Sequence, residues 1–252
     1  MTINQLGNQC LNDFSVTGLT AGATRSLFVQ NLNNFAGSAA RILSQVGGEA
    51  SSDAVYQAAI QAGQFWSWGL DNSNSNKFVL SGSAALGTTD VMQVYPAGQI
   101  NYPLQPMMRA YRAAGTAAVT GDNTLYQVVF DTENFDVGGC YSTVTGVYTV
   151  PVDGVYLINT MVSVDGLQAT HVIAGFHINV AGNLVTLAQT NPYASAYAFG
   201  GSVRNIFLTS TTYRCVAGNT IDVNVRIGGN PKSVTVCGSA ECDTYFCVNL
   251  LG

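Results

Sequence analysis

Short runs rich in Val, Ile, Tyr and Phe recur along this chain between Gly, Asn, Pro and Thr punctuation. They include SLFVQNL, RILSQV, KFVLSG, DVMQVYP, YQVVFDT, GVYTVPVDGVYLINTMVSV, HVIAGFHINVAG, NLVTLAQ, NIFLTS, TIDVNVRIG, KSVTVCG and TYFCVNLL. Runs of this length between turn residues read as strands, and many at close spacing read as an all-β sandwich or jelly roll. In VDGVYLINTMV, alternation sends Tyr156, Ile158 and Thr160 to one face and Val155, Leu157, Asn159 and Met161 to the other. Both faces are largely apolar, so the strand needs two covers: a second sheet on one side and a neighbouring copy of the chain on the other. The terminal run repeats the pattern, with Phe246, Val248 and Leu250 facing one way and Tyr245, Cys247 and Leu251 the other. SSDAVYQAAIQAGQF (51–65) and SAARIL (38–43) fit helix or strand.

Composition narrows the partners. Charged residues make up 9% of the chain and hydrophobic ones 47%, where ordinary soluble domains carry roughly a quarter charged. So few charges imply that much of the surface is covered, most simply by other copies. A net charge of -5, with Lys77 and Lys232 the only lysines, excludes a nucleic-acid footprint, which needs clustered positive charge. No apolar segment approaches the ~18 residues of a membrane span. The start, MTINQLGNQCLNDF, lacks a charged region followed by an apolar run, so no secretory signal is expected and the protein is made in a cytoplasm. Its cysteines, Cys10, Cys140, Cys215, Cys237, Cys242 and Cys247, are then expected as reduced thiols. The last three are five apart, unlike any CxxC zinc spacing.

A break falls where PAGQINYPLQP and RAAGTAAVTGDN interrupt the pattern. It divides the chain into an attachment arm (1–20), a β-rich module (21–104) and a C-terminal β-domain (105–252). Within the module, WSWGLDNSNSNKF sets Asp71, Ser73 and Ser75 at the alternate spacing of a calcium loop, but has no sixth-position glycine and no acidic twelfth residue, which is Gly82. Asp71 is therefore a weak metal candidate, and DNSNSN reads as a turn.

From Phe130, five residues lead to Asp136, four more to Tyr141, six to Tyr148 and five to Gly154, after which Tyr156, Ile158 and Thr160 alternate. This spacing resembles the signature of the complement component 1q globular head, whose superfamily includes the tumour-necrosis-factor-like ligands. Tyr148, Ile158 and Thr160 depart from it, since the family usually has Phe at the first two and an aromatic at the third. VAGNTIDVNV (216–225) and TYFCVNLLG are similar to its last two strands, with Asn219 in an acidic position and Val248 in place of a glycine, and QPMMRAYRA (105–113) to its opening. The resemblance covers about residues 105–252 and implies a ten-strand jelly roll that assembles as a homotrimer, with Tyr148, Tyr156, Ile158, Phe246, Val248 and Leu250 as trimer or core residues. WSWGLDNSNSNKFVLSGSAALGTTDVMQVYPAGQI, preceded by SLFVQNLNN, resembles a recurrent module of bacteriophage tail fibres over about residues 24–104. Under that resemblance QAAIQAGQFWSWGL (57–70) becomes strand, which weakens the helix reading of 51–65, and Trp66 and Trp68 share a packed face.

Catalytic chemistry is not expected. His171 and His177 share a face if HVIAGFH is a strand, but no nucleophile elbow accompanies them. Asp131, Glu133 and Asp136 could in principle serve glycan hydrolysis, yet fall inside the signature as turn residues. No phosphate loop is present and no cofactor is implied. Binding has a better candidate in TNPYASAYAFGGS (190–202), which offers Tyr193, Tyr197 and Phe199 among small residues, as antibody loops do. These aromatics either meet a receptor or pack on a neighbouring subunit. The combined reading is a non-enzymatic, trimeric virion fibre or spike, of bacteriophage tail-fibre or head-fibre type. Its N-terminal region would meet other virion proteins and its head a host-surface glycan or protein. The alternatives are a structural or capsid-decoration protein whose head is a trimerisation clamp, and a polysaccharide-degrading spike.

Overall fold

A computed structural model describes residues 42–48, 52–60, 63–199, 201–229, 231–239 and 244–252. The arm, SLFVQNL and most of SAARIL lie outside the described residues, as do Cys10 and Cys242. Regular structure among the described residues is β throughout, apart from one 3-10 turn at Asn72–Asn74. No helix among them is long and apolar enough to cross a membrane.

The first five strands are β1 (Ala54–Ala59), β2 (Phe65–Asp71), β3 (Lys77–Ser81), β4 (Asp90–Val94) and β5 (Ile100–Asn101), an antiparallel meander in chain order. Thus Ala54–Ala59, within the ambiguous 51–65 stretch, is a strand and not a helix. Gly69 is required where β2 runs against β1, because a Cβ there would lie 2.0 Å from the Ala54 carbonyl oxygen. Ile42–Val46, expected as part of a strand, has no regular structure.

Trp66 and Trp68 do share a face of β2, with Tyr56 stacked on Trp68 at 6.3 Å, but it is not the packed one, and Trp66 is 42% exposed. The covered face is the opposite one. There loop 82–89 folds back over Ser67, Asp71, Val79 and Ser81, all buried, and Ser67 Oγ donates to the Ser83 carbonyl at 2.7 Å.

The remaining strands are β6 (Met107–Tyr111), β7 (Thr116–Thr120), β8 (Leu125–Val128), β9 (Thr132–Val137), β10 (Tyr141–Ser142), β11 (Val147–Thr149), β12 (Gly154–Asp165), β13 (Ile173–Val180), β14 (Asn183–Thr190), β15 (Tyr197–Phe199), β16 (Ser202–Cys215), β17 (Thr220–Gly228), β18 (Val234–Val236) and β19 (Tyr245–Leu250). One sheet runs β15-β16-β12-β19-β6-β9, with β18 and β7 continuing beside β12, and the other runs β10-β11-β17-β13-β14, with β8 beside β17. The chain crosses repeatedly from one sheet to the other, singly or after a hairpin, which makes this part a jelly-roll sandwich. β7 corrects the sequence reading: TAAVT, taken as part of the break in the strand pattern, pairs with β18. The Thr120 hydroxyl accepts the Ile227 N–H at 2.9 Å and ties β7 to the second sheet.

The core fills the space between the sheets. Aromatic pairs bridge it: Phe130 with Phe246 at 5.5 Å, Tyr148 with Tyr156 at 6.3 Å, Phe176 with Phe207 at 5.8 Å. Thr160, where the signature has an aromatic, is buried on the inward face and donates its hydroxyl to the Tyr245 carbonyl at 2.9 Å.

Candidate functional site

Loop 191–196 joins β14 to β15 and is held by its own backbone. Asn191 Oδ1 accepts the Ala194 N–H at 3.1 Å, and the Asn191 carbonyl accepts the Ser195 hydroxyl at 3.0 Å. From beneath, buried Asn205 on β16 donates its amide to the Pro192 carbonyl at 2.9 Å and to Ser195 Oγ at 2.8 Å. Tyr193 N donates to the His171 carbonyl. A loop fixed at both ends and below presents its side chains with little ordering entropy left to lose. It presents Tyr193, 39% exposed, and Tyr197, 43% exposed. Phe199 closes β15 opposite Ser202 in the β15–β16 register.

The root of the β15–β16 hairpin is charged. Asp165, at the end of β12, receives Arg204 Nε at 3.1 Å, the Gly166 N–H at 2.6 Å and the Ser202 hydroxyl. Burial alone would push the Asp165 carboxyl up, but these three donors outweigh it and hold the group below its ordinary value.

Neither histidine is placed as a catalytic base. His171 precedes β13 rather than lying on it, so the two do not share a strand face. Its Nδ1 accepts the Gln168 N–H at 2.9 Å, which leaves Nε2 as the donor to the Pro231 carbonyl at 2.8 Å. That ring is a clip between two loops. His177 sits on β13 beside Thr186, 3.1 Å from its hydroxyl, and burial followed by the nearby Arg226 charge pushes its pKa down, so it is neutral near pH 7. The signature carboxylates order turns: Asp136 accepts the Tyr141 N–H and Asp131 the Ala113 N–H, both at 2.8 Å.

Tyr148, Tyr156, Ile158, Phe246 and Val248 lie fully buried between the sheets, with Leu250 packed at the edge of the same cluster. Their alternates therefore face outward. Across β16, β12, β19 and β6 these form the rows Leu208–Met161–Tyr245–Tyr111 and Thr212–Leu157–Asn249–Met107. Between them runs Ser210–Asn159–Cys247–Arg109, with Arg109 over the Tyr245 ring at 5.3 Å. Leu208 is 64% exposed, and Ile206 and Phe135 are also open. The outer face of the other sheet is different in kind. Asp222 there accepts amide donors from Asn179 and Asn224, with His177, Arg226 and Gln127 alongside. Alternation predicts that both faces of β12 are apolar; it does not predict this contrast between the two outer surfaces.

Two tyrosines of the signature test how the core is satisfied. The Tyr141 hydroxyl donates to the Phe130 carbonyl at 3.0 Å and accepts the Phe130 N–H at 3.1 Å. The Tyr148 hydroxyl is buried beside the Cys140 thiol without a hydrogen-bond partner of good geometry. Tyr141→Phe should therefore cost about 1–3 kcal/mol in urea unfolding, and Tyr148→Phe should be neutral or stabilising by up to about 1 kcal/mol. Equal losses from the two would contradict this geometry.

No protein-family model and no curated protein matches the chain. Solved structures of similar shape include the globular domain of zebrafish complement 1qA protein, 16% identical, covering 59% of this chain and 98% of that one at a TM-score of 0.38. Murine APRIL at pH 5.0 is another, 13% identical, covering 58% and 99% at a TM-score of 0.37, and at pH 8.0 the score is 0.36. From its own strand order, the C-terminal part of the chain is a two-sheet jelly-roll sandwich.

Proposed function

We propose that the chain is a non-enzymatic, homotrimeric fibre or spike protein of a virus particle, of bacteriophage type, whose jelly-roll head contacts the host surface. The observation that carries the trimer is the contrast between the two outer sheet faces. The Leu208–Met161–Tyr245–Tyr111 and Thr212–Leu157–Asn249–Met107 rows carry no charge and suit contact with other copies, with Arg109 between them held over the Tyr245 ring, while Asp222, Arg226 and their amide neighbours on the other face suit water. Packing the apolar faces together leaves loop 191–196 at the edge strand β15, and supports Tyr193 and Tyr197 as the receptor contacts. Three modest sites held at high effective concentration then give avidity that one lacks. The likeness of residues 24–104 to tail-fibre modules supports placing the N-terminal region on the particle.

The test is binding of the full chain to a panel of bacterial cells and to a glycan array, beside Tyr193→Ala/Tyr197→Ala. The double variant should keep its oligomeric mass and lose at least tenfold in apparent affinity. Unchanged binding would move the contact elsewhere. A wild-type protein that binds neither cells nor glycans would favour a trimerisation clamp, and new reducing ends released from host polysaccharide would make it a hydrolase.

A further inference from the structure

Beneath loop 82–89, the covered side of the five-stranded sheet holds a small polar interior. Ser81 Oγ lies 3.1 Å from Ser83 Oγ, Gly82 N donates to the Thr89 carbonyl at 2.9 Å, and Leu86 is buried above them. Among the described residues of this sheet, one buried side-chain oxygen has no hydrogen bond: Asp71 Oδ2, on a residue 1% exposed. Its companion Oδ1 accepts the Ser73 hydroxyl at 2.9 Å.

Asp71 Oδ2 points at Gly87, where a Cβ would stand 3.4 Å away and where φ is +80°. The same glycine donates its N–H at 2.9 Å to Oδ1 of Asp90, a second buried carboxylate, whose Oδ2 takes the Gln93 amide at 2.8 Å. Two buried carboxylates thus abut one residue. No described cation pairs with either: Lys77, opposite Asp71 in the register, directs Nζ to Asn74 Oδ1 at 3.0 Å and to the Tyr95 ring at 4.5 Å. Buried carboxylates persist when a positive charge compensates them. A small, oxygen-seeking cation would supply that charge to both carboxylates.

We propose that Asp71 and Asp90 hold a calcium ion that clamps loop 82–89 to the sheet. Three or more His, Cys, Asp or Glu do not converge anywhere among the described residues, so the other ligands would have to be neutral oxygens, for which the 71–76 turn and the 82–89 loop are the neighbouring source. Such a mixture suits calcium, which takes six to eight oxygens in flexible geometry, better than magnesium, which demands a near-ideal octahedron. Asp90 supplies the charge that is missing at Gly82, the twelfth position of the calcium-like spacing. It arrives from the next strand, through the β3–β4 register that sets Ser81 against Asp90.

The test uses the full chain, stripped with EDTA and titrated with calcium chloride by calorimetry and by thermal melting. Wild type should bind calcium and gain on the order of 5 °C in Tm at saturation. Asp71→Asn and Asp90→Asn, close in shape but neutral, should each weaken binding at least tenfold and lose most of that gain. The wild-type arm needs no variant to fold. Absence of calcium binding up to millimolar concentration overturns the proposal, as does unchanged affinity in both variants. An Asp71→Asn protein that is more stable than wild type and indifferent to calcium also overturns it.

Discussion

Phe246→Ala should remove about 3–5 kcal/mol of stability, the largest loss expected from any single truncation in the head. The ring is fully buried in β19, 5.5 Å from Phe130 and 6.0 Å from Tyr141. It sits in the row Thr160–Phe246–Ala110, so three strands of one sheet frame it while Phe130 and Tyr141 cap it. Neither cap is free to collapse into the hole, because the Tyr141 hydroxyl is bound to both the N–H and the carbonyl of Phe130. A cavity that cannot close carries its full energetic cost on top of the lost transfer energy. Domains are stable by only about 5–15 kcal/mol, so the variant should unfold at markedly lower urea. Comparison at equal protein concentration keeps oligomer linkage out of the difference. A loss below about 1 kcal/mol would mean the ring is not in the core.

Leu208→Glu should convert the assembly to folded monomers. Leu208 is the most exposed residue of the Leu208–Met161–Tyr245–Tyr111 row, and a carboxylate there would be desolvated among the apolar and aromatic side chains of that row when another copy packs on it. Each closed trimer has three such contacts, so one substitution acts three times. Dissociation at micromolar concentration should leave the β-type circular dichroism unchanged, since Leu208 lies outside the inter-sheet cluster. Leu184→Glu is the matched control. It changes an exposed leucine on β14, opposite Asn179 on the outer face of the polar sheet, and should leave the mass alone. If Leu208→Glu keeps the trimer and Leu184→Glu breaks it, the assignment of faces is reversed.

The strands of the head were legible where β-branched and aromatic residues alternate over a long run, as in β12, β17 and β19. They were not legible in β7, where TAAVT has little bulk and is recognised as strand only through its partner Val234–Val236. Alternation separated Tyr156 from Leu157 but could not say which faces the core, because both are apolar and a period of two is blind to which face is covered. The five-stranded sheet reversed the expectation for the same reason in sharper form. Its aromatic face reads as core, yet loop 82–89 covers the side with Ser67 and Asp71. The approach of Asp71 and Asp90 to the same Gly87 was hidden as well, since an irregular step in the register after Leu80 decides where Asp90 falls. His171 was misread through its neighbour, because β13 begins only at Ile173.

Coverage of the apolar outer sheet face by other copies of the same chain sets the mass of the protein in solution. Sedimentation equilibrium of the wild-type protein at micromolar concentration should therefore give a single species with the mass of three 26.5 kDa chains, stable on dilution. A monodisperse species of one chain would mean that no other copy covers that face.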